Sequence, residues 1–208
     1  MKSEISDLNF ENFPELLKEI NDPPKKLRLR GELPKEGNKL LAIVGTRKYS
    51  GYGREMCESI IAGLSGYPVT IISGLALGID SIAHRAALKS GLQTIAIPGS
   101  GISDSAIHPR AHVELAREII ENGGGLISEY PDEMKATLWS FPKRNRIMAG
   151  MCHATIVIEA TMKSGTLITS RLATEYNREV GCVPGPINSP SSDGPHMLIR
   201  VGAALIRD

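Results

Sequence analysis

The densest group of chemically capable side chains lies between Phe141 and Arg146. Lys143, Arg144 and Arg146 place three cations within four residues, and Asn145 adds an amide donor. The cations carry only hydrogen-bond donors, which match the oxygens of phosphates and carboxylates. An apolar helical run follows, so the cations stand at a helix start, where the helix dipole disfavours positive charge. The sequence therefore predicts an anionic partner here, either protein carboxylates or a bound phosphate.

Aromatic side chains accompany these cations. Trp139, the only tryptophan, and Phe141 precede them, and Ile147 and Met148 follow. Proteins that bind single-stranded nucleic acid combine cations for the phosphates with aromatic rings, and each stacked base contributes about 1–3 kcal/mol. The ordinary interpretation of a charge run is a solvated face, and Trp139 could equally belong to the core. The apolar surroundings favour a crevice, with Phe141 as the stacking residue.

Three glycine-containing loops follow predicted strands and open helices. Glycine lets a backbone approach a ligand closely, and amides at a helix start can hold phosphate. The candidate contacts in these loops are Gly45, Arg47, Ser73, Gly74, Gly165 and Thr166. The alternative for the first loop is a plain turn with a surface arginine. For Asp80 and His84 we favour structural roles, with Asp80 capping a helix or pairing with a cation.

Motifs of enzymes and cofactor sites are missing from the sequence. There is no G-x-G-x-x-G, no Walker A loop and no G-x-S-x-G, which argues against dinucleotide binding, phosphoryl transfer and serine hydrolysis. His108 and His112 have metal-ligand spacing but no third ligand, so we predict no metal. We expect no cofactor and no catalytic residue.

Composition indicates one soluble domain. The chain has 208 residues, a net charge of +1, 41% hydrophobic and 23% charged residues. This balance excludes a general polyanion-coating protein, so any nucleic-acid contact must be local. Cys57, Cys152 and Cys182 form no CxxC and fit buried thiols in a reducing cytosol. Residues 1–10 contain no apolar signal core, and no apolar run approaches a membrane span. We predict a cytoplasmic protein.

The elements that must position these residues alternate regularly. Apolar runs at 40–44, 69–72, 94–97, 125–128, 155–158, 179–183 and 203–206 predict strands, with helices between them. This pattern indicates an α/β, Rossmann-like, doubly wound and mostly parallel sheet with helices on both faces. Ligands on such sheets bind beyond the carboxyl ends of the strands. Residues 39–208 form this predicted domain. Residues 1–38 are predicted as an N-terminal extension, with a short helix and an edge strand or extended arm.

Together these motifs resemble the bacterial DNA-processing protein A family, also called DprA or Smf. The resemblance covers the chain from about Phe13 to its end. The matching segments are Ala42-Ile43-Val44-Gly45-Thr46-Arg47, Ser73-Gly74-Leu75-Ala76-Leu77-Gly78-Ile79-Asp80, Phe141-Pro142-Lys143-Arg144-Asn145-Arg146-Ile147 and Ser164-Gly165-Thr166-Leu167-Ile168-Thr169.

The resemblance implies an extended Rossmann-like domain that binds single-stranded DNA without sequence specificity. It also implies protection of incoming DNA in natural transformation, loading of the RecA recombinase, and a homodimer formed around residues 197–206. Motif matching places DNA contacts at Arg47, the Gly74 loop, residues 141–146 and the Gly165-Thr166 turn. Many members carry an N-terminal helical domain and a C-terminal winged-helix-like domain, for which residues 1–38 and the end at Asp208 leave no room.

The alternative is a nucleotide-binding module or a nucleoside monophosphate phosphoribohydrolase, which belongs to the same superfamily. Those enzymes are recognised by a P-G-G-x-G-T-x-x-E loop and by an arginine and a methionine on a preceding helix. Arg144 or Arg146 with Met148 fits the second part. Thr169 stands where the loop requires glutamate, so the group expected to assist glycosidic cleavage is missing. We therefore predict a binding protein and not an enzyme.

Overall fold

The computed structural model describes residues 4–207. The first three residues of the predicted extension, and Asp208, lie outside the described residues. The strands are β1 Ile5–Leu8, β2 Leu27–Gly31, β3 Lys39–Val44, β4 Val69–Ser73, β5 Gln93–Ala96, β6 Gly125–Ser128, β7 Ala154–Val157, β8 Glu179–Cys182 and β9 Ala204–Leu205. The α-helices are α1 Glu15–Lys18, α2 Gly51–Gly63, α3 Ile79–Lys89, α4 Val113–Glu121, α5 Ser140–Met151, α6 Thr166–Glu175 and α7 Asp193–Arg200.

The strands form one sheet in the order β1-β2-β6-β5-β4-β3-β7-β8-β9. The pairs from β6 through β9 are parallel, and the β1–β2 and β2–β6 pairs are antiparallel. From β3 the chain builds outward to β6, then returns and builds the other half from β7. The strand order therefore reverses between β3 and β7. This confirms the predicted doubly wound fold and puts the expected ligand crevice beyond the carboxyl ends of these two strands.

Apolar residues on successive strand positions pack on opposite faces of the sheet. Ile43 and Ile71 belong to a cluster with residues of α2 and α3, whereas Val44 and Ile72 join a cluster with residues of α5 and α6. Side chains alternate between the faces of a strand, so a continuous apolar run is what a sheet buried on both faces requires. The two helix layers hold the loops at the carboxyl ends in fixed positions.

The segment before β3 continues the same sheet. β2 pairs with β6, and β1, which the sequence did not predict, pairs with β2 and forms the edge. The expected edge strand is therefore a strand but not at the edge. Helix α1 and the turn after it pack closely on α5, because a Cβ on Gly150 would lie 3.3 Å from Leu17 and 2.8 Å from Ile20. The division at residue 38 stays a prediction, although the sheet runs across it.

The remaining differences are small. Helix α7 begins at Asp193, directly after Ser192, whose backbone is already helical. Cys57, Cys152 and Cys182 are buried free thiols, which confirms their predicted role. Within residues 4–207, every helix is too short or too polar to cross a bilayer.

Candidate nucleic-acid interface

A cleft with a volume of about 290 Å³ opens beyond the carboxyl ends of β3 and β7. Its walls come from the loops after β3, β4 and β7 and from the first turns of α5 and α6. The predicted residues that line it are Gly45, Arg47, Phe141, Arg144, Asn145, Gly165 and Thr166. The tertiary structure thus brings together all four of the matching sequence segments, because Ala76 and Asp80 of the 73–80 segment also line the cleft.

Arg47 is the exposed cation of this cleft. Its guanidinium carbon lies 5.2 Å from the centroid of the Phe141 ring. Among residues 4–207 it has no salt-bridge partner. Gly45, two residues earlier, allows α3 to approach the loop, because a Cβ there would lie 2.6 Å from the Ile79 side chain. Arg47 is therefore exposed on a loop whose backbone packs closely against α3.

Phe141 is half-buried, and its ring packs against Gly99 and His108. A Cβ on Gly99 would lie 2.6 Å from the Phe141 ring, so glycine permits this contact. The His108 ring is 6.0 Å away, tilted by 55°. Arg47 covers another side of the ring. Phe141 is consequently held in place at the cleft wall, as a stacking platform must be.

Arg144 is buried, and two of its three guanidinium nitrogens donate to protein acceptors. One terminal nitrogen donates to the carbonyl of Gly74 at 2.8 Å and to that of Ile97, while Nε donates to Asn145 Oδ1 at 3.1 Å. Burial lowers its pKa to about 10, and Asp80 favours its charged form. Arg144 therefore stays cationic at neutral pH and ties α5 to the strand ends. The expected direct neutralisation of a phosphate needs correction, since Arg144 acts mainly as a buried brace.

Asp80 lies beside Arg144 on the cleft floor. Burial raises its pKa to about 6, while Arg144 and hydrogen bonds from the backbone amides of Ala76 and Gly74 oppose that rise. The prediction that Asp80 pairs with a cation agrees with this arrangement. Because the Gly74 amide already donates to Asp80, it does not fit the predicted phosphate-binding role. Ser73 does not fit either, since its buried hydroxyl donates to the carbonyl of Ile43 at 2.6 Å.

Lys143 and Arg146 point to protein carboxylates. Arg146 is buried and forms ion pairs with Glu129 and, at 3.4 Å, with Asp22. Lys143 Nζ lies 3.6 Å from Glu129. These contacts decide between the two anionic partners that the sequence left open. Arg146 in particular needs correction as a phosphate ligand, because burial and two carboxylates already satisfy its charge.

The start of α6 forms the opposite wall. Gly165 is exposed, and Thr166 begins the helix with its amide donating to Ser164 Oγ at 3.2 Å. Asn145 Nδ2 lies 3.5 Å from the carbonyl of Gly165, which links α5 to this turn. Lys163 is exposed one residue before Ser164. The wall thus offers an open backbone to the cleft.

Sequence reasoning missed three residues of this region. Lys48 and Lys163 are exposed on cleft-forming loops and form no salt bridge with any described residue. Glu159 is buried and accepts hydrogen bonds from Ser50 N at 2.9 Å, Ser50 Oγ at 2.6 Å and Ser191 Oγ at 2.9 Å. Its backbone carbonyl accepts from Thr46 N at 2.7 Å. An acid directly after a buried strand was the available signal for Glu159, which anchors the Arg47 loop.

His108 and His112, which have metal-ligand spacing, contact different neighbours. His112 is buried, with Nδ1 2.8 Å from the carbonyl oxygen of Leu75, whereas His108 lies against Phe141. Across residues 4–207, no group of three potential ligands is placed to hold a metal ion. The cleft therefore offers cations, amides and an aromatic ring as its chemistry.

Known proteins resemble this chain along its length. The model of the family described as DNA recombination-mediator protein A matches residues 5–208. Protein Smf of Escherichia coli (strain K12) is 43% identical over 198 residues, which cover 95% of this chain and 52% of Smf. The chain thus spans about half the length of that relative.

Two solved structures share the fold and the sequence. DNA processing protein A of Streptococcus pneumoniae aligns with a TM-score of 0.90 and 39% identity, covering 98% of this chain and 71% of that one. DNA processing protein A of Helicobacter pylori, described for its single-stranded DNA binding mode, aligns with a TM-score of 0.86 and 31% identity, covering 100% and 94%. The cleft at the strand reversal, the matching sequence segments and these likenesses agree, and the chain belongs to the DNA recombination-mediator protein A family.

Proposed function

We propose that this protein binds single-stranded DNA without sequence specificity. The observation that carries the proposal is the placement of Arg47 over Phe141 at the point where strand order reverses. A cation beside an aromatic ring is the pairing that holds a phosphate next to an unstacked base. The likeness to the Helicobacter pylori protein, described for its single-stranded DNA binding mode, supports the same conclusion.

In the proposed mechanism, Arg47, Lys48 and Lys163 contact phosphates. Their charges form no ion pair with any described carboxylate, so no ion pair within the protein has to break when they bind phosphates. Gly165 and Thr166 lie along the path of the DNA strand. A base stacks on the surface formed by the Phe141 ring and the Arg47 guanidinium. Arg144 contributes positive potential from beneath without leaving its hydrogen bonds. These proposed contacts include no element that enters a DNA groove, so bases would be held by stacking and not read by their edges.

A second candidate function is mononucleotide binding, with or without glycosidic cleavage. One observation favours it: Asp80 places a carboxyl group with a raised pKa at the floor of the cleft. A group of this kind can exchange protons near neutral pH. Thr169 occupies the place of the glutamate that the enzymes require, and it is buried in the cleft wall. We therefore favour a binding protein over an enzyme.

The wider role is proposed from the family. Protection of incoming DNA during natural transformation and loading of RecA would place the protein in the cytoplasm, where buried free cysteines are common. A homodimer would form around β9, whose outer edge is unpaired within the described sheet. Val201 and Leu205 are exposed there. Two clefts on one strand would raise the avidity for DNA.

The test is a salt titration of binding to labelled oligo-dT, with duplex DNA and AMP as competitors. Three phosphate contacts predict a slope of log K against log salt of roughly −2, from about −0.7 per phosphate. Arg47→Ala should weaken binding and reduce the slope by about 0.7. Arg54→Ala is the matched control, because Arg54 is exposed but already pairs with Glu58 at 2.9 Å.

The outcomes separate the two candidate functions. A steep slope, a preference for oligo-dT over duplex and ineffective AMP would support DNA binding. A flat slope with effective AMP competition would overturn it in favour of the nucleotide module, and released adenine would then identify a hydrolase. Unchanged affinity of the Arg47→Ala protein would contradict the role of Arg47.

A further inference from the structure

Large apolar side chains are exposed on the same end of the sheet as the cleft. Each lies in a connection that follows the carboxyl end of a parallel strand. They are Tyr49 after β3, Leu77 after β4, Leu138 and Trp139 after β6, Met162 after β7 and Ile187 after β8. Several adjoin residues of the cleft wall in sequence: Leu77 follows Ala76, and Met162 follows Thr161. Single exposed apolar residues are common on proteins, so only a member that also has a defined orientation beside the cleft indicates a binding surface.

Trp139 is the most informative member of this group. It is 56% exposed, although tryptophan has the largest apolar surface to hide. Its ring meets Tyr130 edge to face, at 5.7 Å between centroids and 83° between planes. Tyr130 is buried and donates its hydroxyl to the carbonyl of Ser140 at 3.0 Å. The indole is thus both exposed and held in a defined orientation, which excludes the core role that the sequence left open.

The charges around Trp139 indicate what would cover it. Lys143 lies one helical turn along α5, exposed and 3.6 Å from Glu129, and the cleft that begins at Phe141 carries Arg47, which has no salt-bridge partner among residues 4–207. An apolar protein surface would bury Arg47 without compensation. A single nucleic-acid strand supplies phosphates for the cations and flat bases for the rings. Charge complementarity therefore favours unpaired bases as the occupant.

We propose that Trp139 is a second stacking platform, which holds a base outside the cleft. The inference rests on the proposed single-stranded DNA binding. Trp139 lies two residues from Phe141, so their Cα atoms are within about 7 Å. A stacked strand advances about 3.4 Å per nucleotide. Trp139 therefore receives a base about two nucleotides from the one on Phe141, and the binding site extends along the start of α5.

The experiment uses the fact that Trp139 is the only tryptophan in the chain. Oligo-dT of about four and about sixteen nucleotides is added to the wild-type protein while intrinsic fluorescence is recorded. Affinity is measured in parallel with labelled oligo-dT for Trp139→Ala, Trp139→Phe and Tyr67→Ala. Tyr67 is the matched control, because it is 65% exposed but lies before β4, at the opposite end of the sheet.

We expect oligo-dT to quench the fluorescence of Trp139. Trp139→Ala should weaken binding of the long strand by about 5- to 150-fold, the equivalent of one lost base stack. Trp139→Phe should recover part of the loss, since a smaller ring still stacks. The short strand should show the same loss, because about four nucleotides span two rings that are about two nucleotides apart. Tyr67→Ala should bind as the wild type does.

Two other results would overturn the inference. Unchanged fluorescence together with wild-type affinity of Trp139→Ala would show that no base contacts the indole. Equal losses for Trp139→Ala and Tyr67→Ala would show a general effect on the protein. In either case, a weakened Arg47→Ala variant would leave the proposed DNA binding intact, whereas wild-type binding by Arg47→Ala would show that the proposed function itself fails.

Discussion

The guanidinium carbon of Arg47 lies 5.2 Å from the centroid of the Phe141 ring. Arg47 comes from the loop after β3 and Phe141 from the first turn of α5, nearly one hundred residues later in the chain. A cation–π contact of this exposed kind contributes about 0.5–1 kcal/mol. The pair holds a phosphate ligand and a stacking ring side by side before any strand arrives. Because the two side chains are already held in place before binding, less side-chain entropy is lost when DNA binds.

Arg144→Ala should destabilise the fold. The substitution removes the buried cation next to Asp80 and frees the carbonyls of Gly74 and Ile97 from their donor. Breaking a buried charge pair costs about 3–5 kcal/mol, which urea unfolding would measure. Arg85→Ala is the control, because Arg85 is exposed and lies 3.7 Å from Glu118; it should change stability by less than about 0.5 kcal/mol. Near wild-type stability with lost DNA binding would instead assign Arg144 to direct contact.

Gly99→Ala should weaken DNA binding through Phe141. The added Cβ would lie 2.6 Å from the ring, so the ring must move from its place beside Arg47. The loss should approach the 1–3 kcal/mol or so that a base stack contributes. Gly63→Ala is the control, since a Cβ there meets nothing within 4 Å and Gly63 ends α2. Equal oligo-dT affinities for both variants, measured by fluorescence anisotropy, would show that Phe141 does not need its present position.

Glu159→Gln should weaken DNA binding although Glu159 does not line the cleft. Glutamine has one acceptor oxygen and no charge, so it cannot accept from the Ser50 amide at 2.9 Å and from the Ser50 and Ser191 hydroxyls as the carboxylate does. The loop that carries Arg47 should loosen. A double-mutant cycle with Arg47→Ala tests this route, with an expected coupling of about 0.5–3 kcal/mol.

The matched control for that cycle is Glu58→Gln, because Glu58 is exposed on α2 and pairs with Arg54. It should leave the affinity unchanged in both backgrounds. Additive losses of Glu159→Gln and Arg47→Ala would mean that Glu159 supports the fold without positioning Arg47.

DNA affinity should rise as the pH falls through about 6. The raised pKa of Asp80, about 6 in the free protein, means that its carboxylate is ionised at neutral pH. A bound phosphate would disfavour that negative charge further and raise the pKa again, so binding takes up a proton. The affinity for oligo-dT should then increase toward lower pH, by at most about tenfold per pH unit.

Other groups near Asp80 define the controls for this pH profile. Arg144 and Arg47 keep their charge through the range, and His84 stays neutral because burial lowers its pKa to about 3. His108 lies against Phe141, so the profile is measured in a His108→Asn background. Asp80→Asn should flatten the profile in that background. A pH response that persists without both groups would assign it elsewhere.

Much of the architecture follows from local patterns. The apolar runs that became β3, β4 and β7 are buried on both faces, and such runs are recognisable because every residue in them is apolar. The strand β1 was missed because Ile5–Leu8 contains two polar residues and little apolar surface. The cations of 143–146 were recognised as a cluster, but their directions were not, since a helix turns each residue by 100° from the last.

The fold class, the family and the segments that meet at the cleft could be inferred from the linear chain, because loops after parallel strands must gather at one end of the sheet. Which cations remain available depends on tertiary contacts. Arg146 is neutralised by Glu129 and Asp22, and Arg144 is used to brace the strand ends, whereas Arg47 stays exposed over Phe141. Ion pairing depends on carboxylates that are distant in the chain, and no local pattern records which of them will lie within 4 Å.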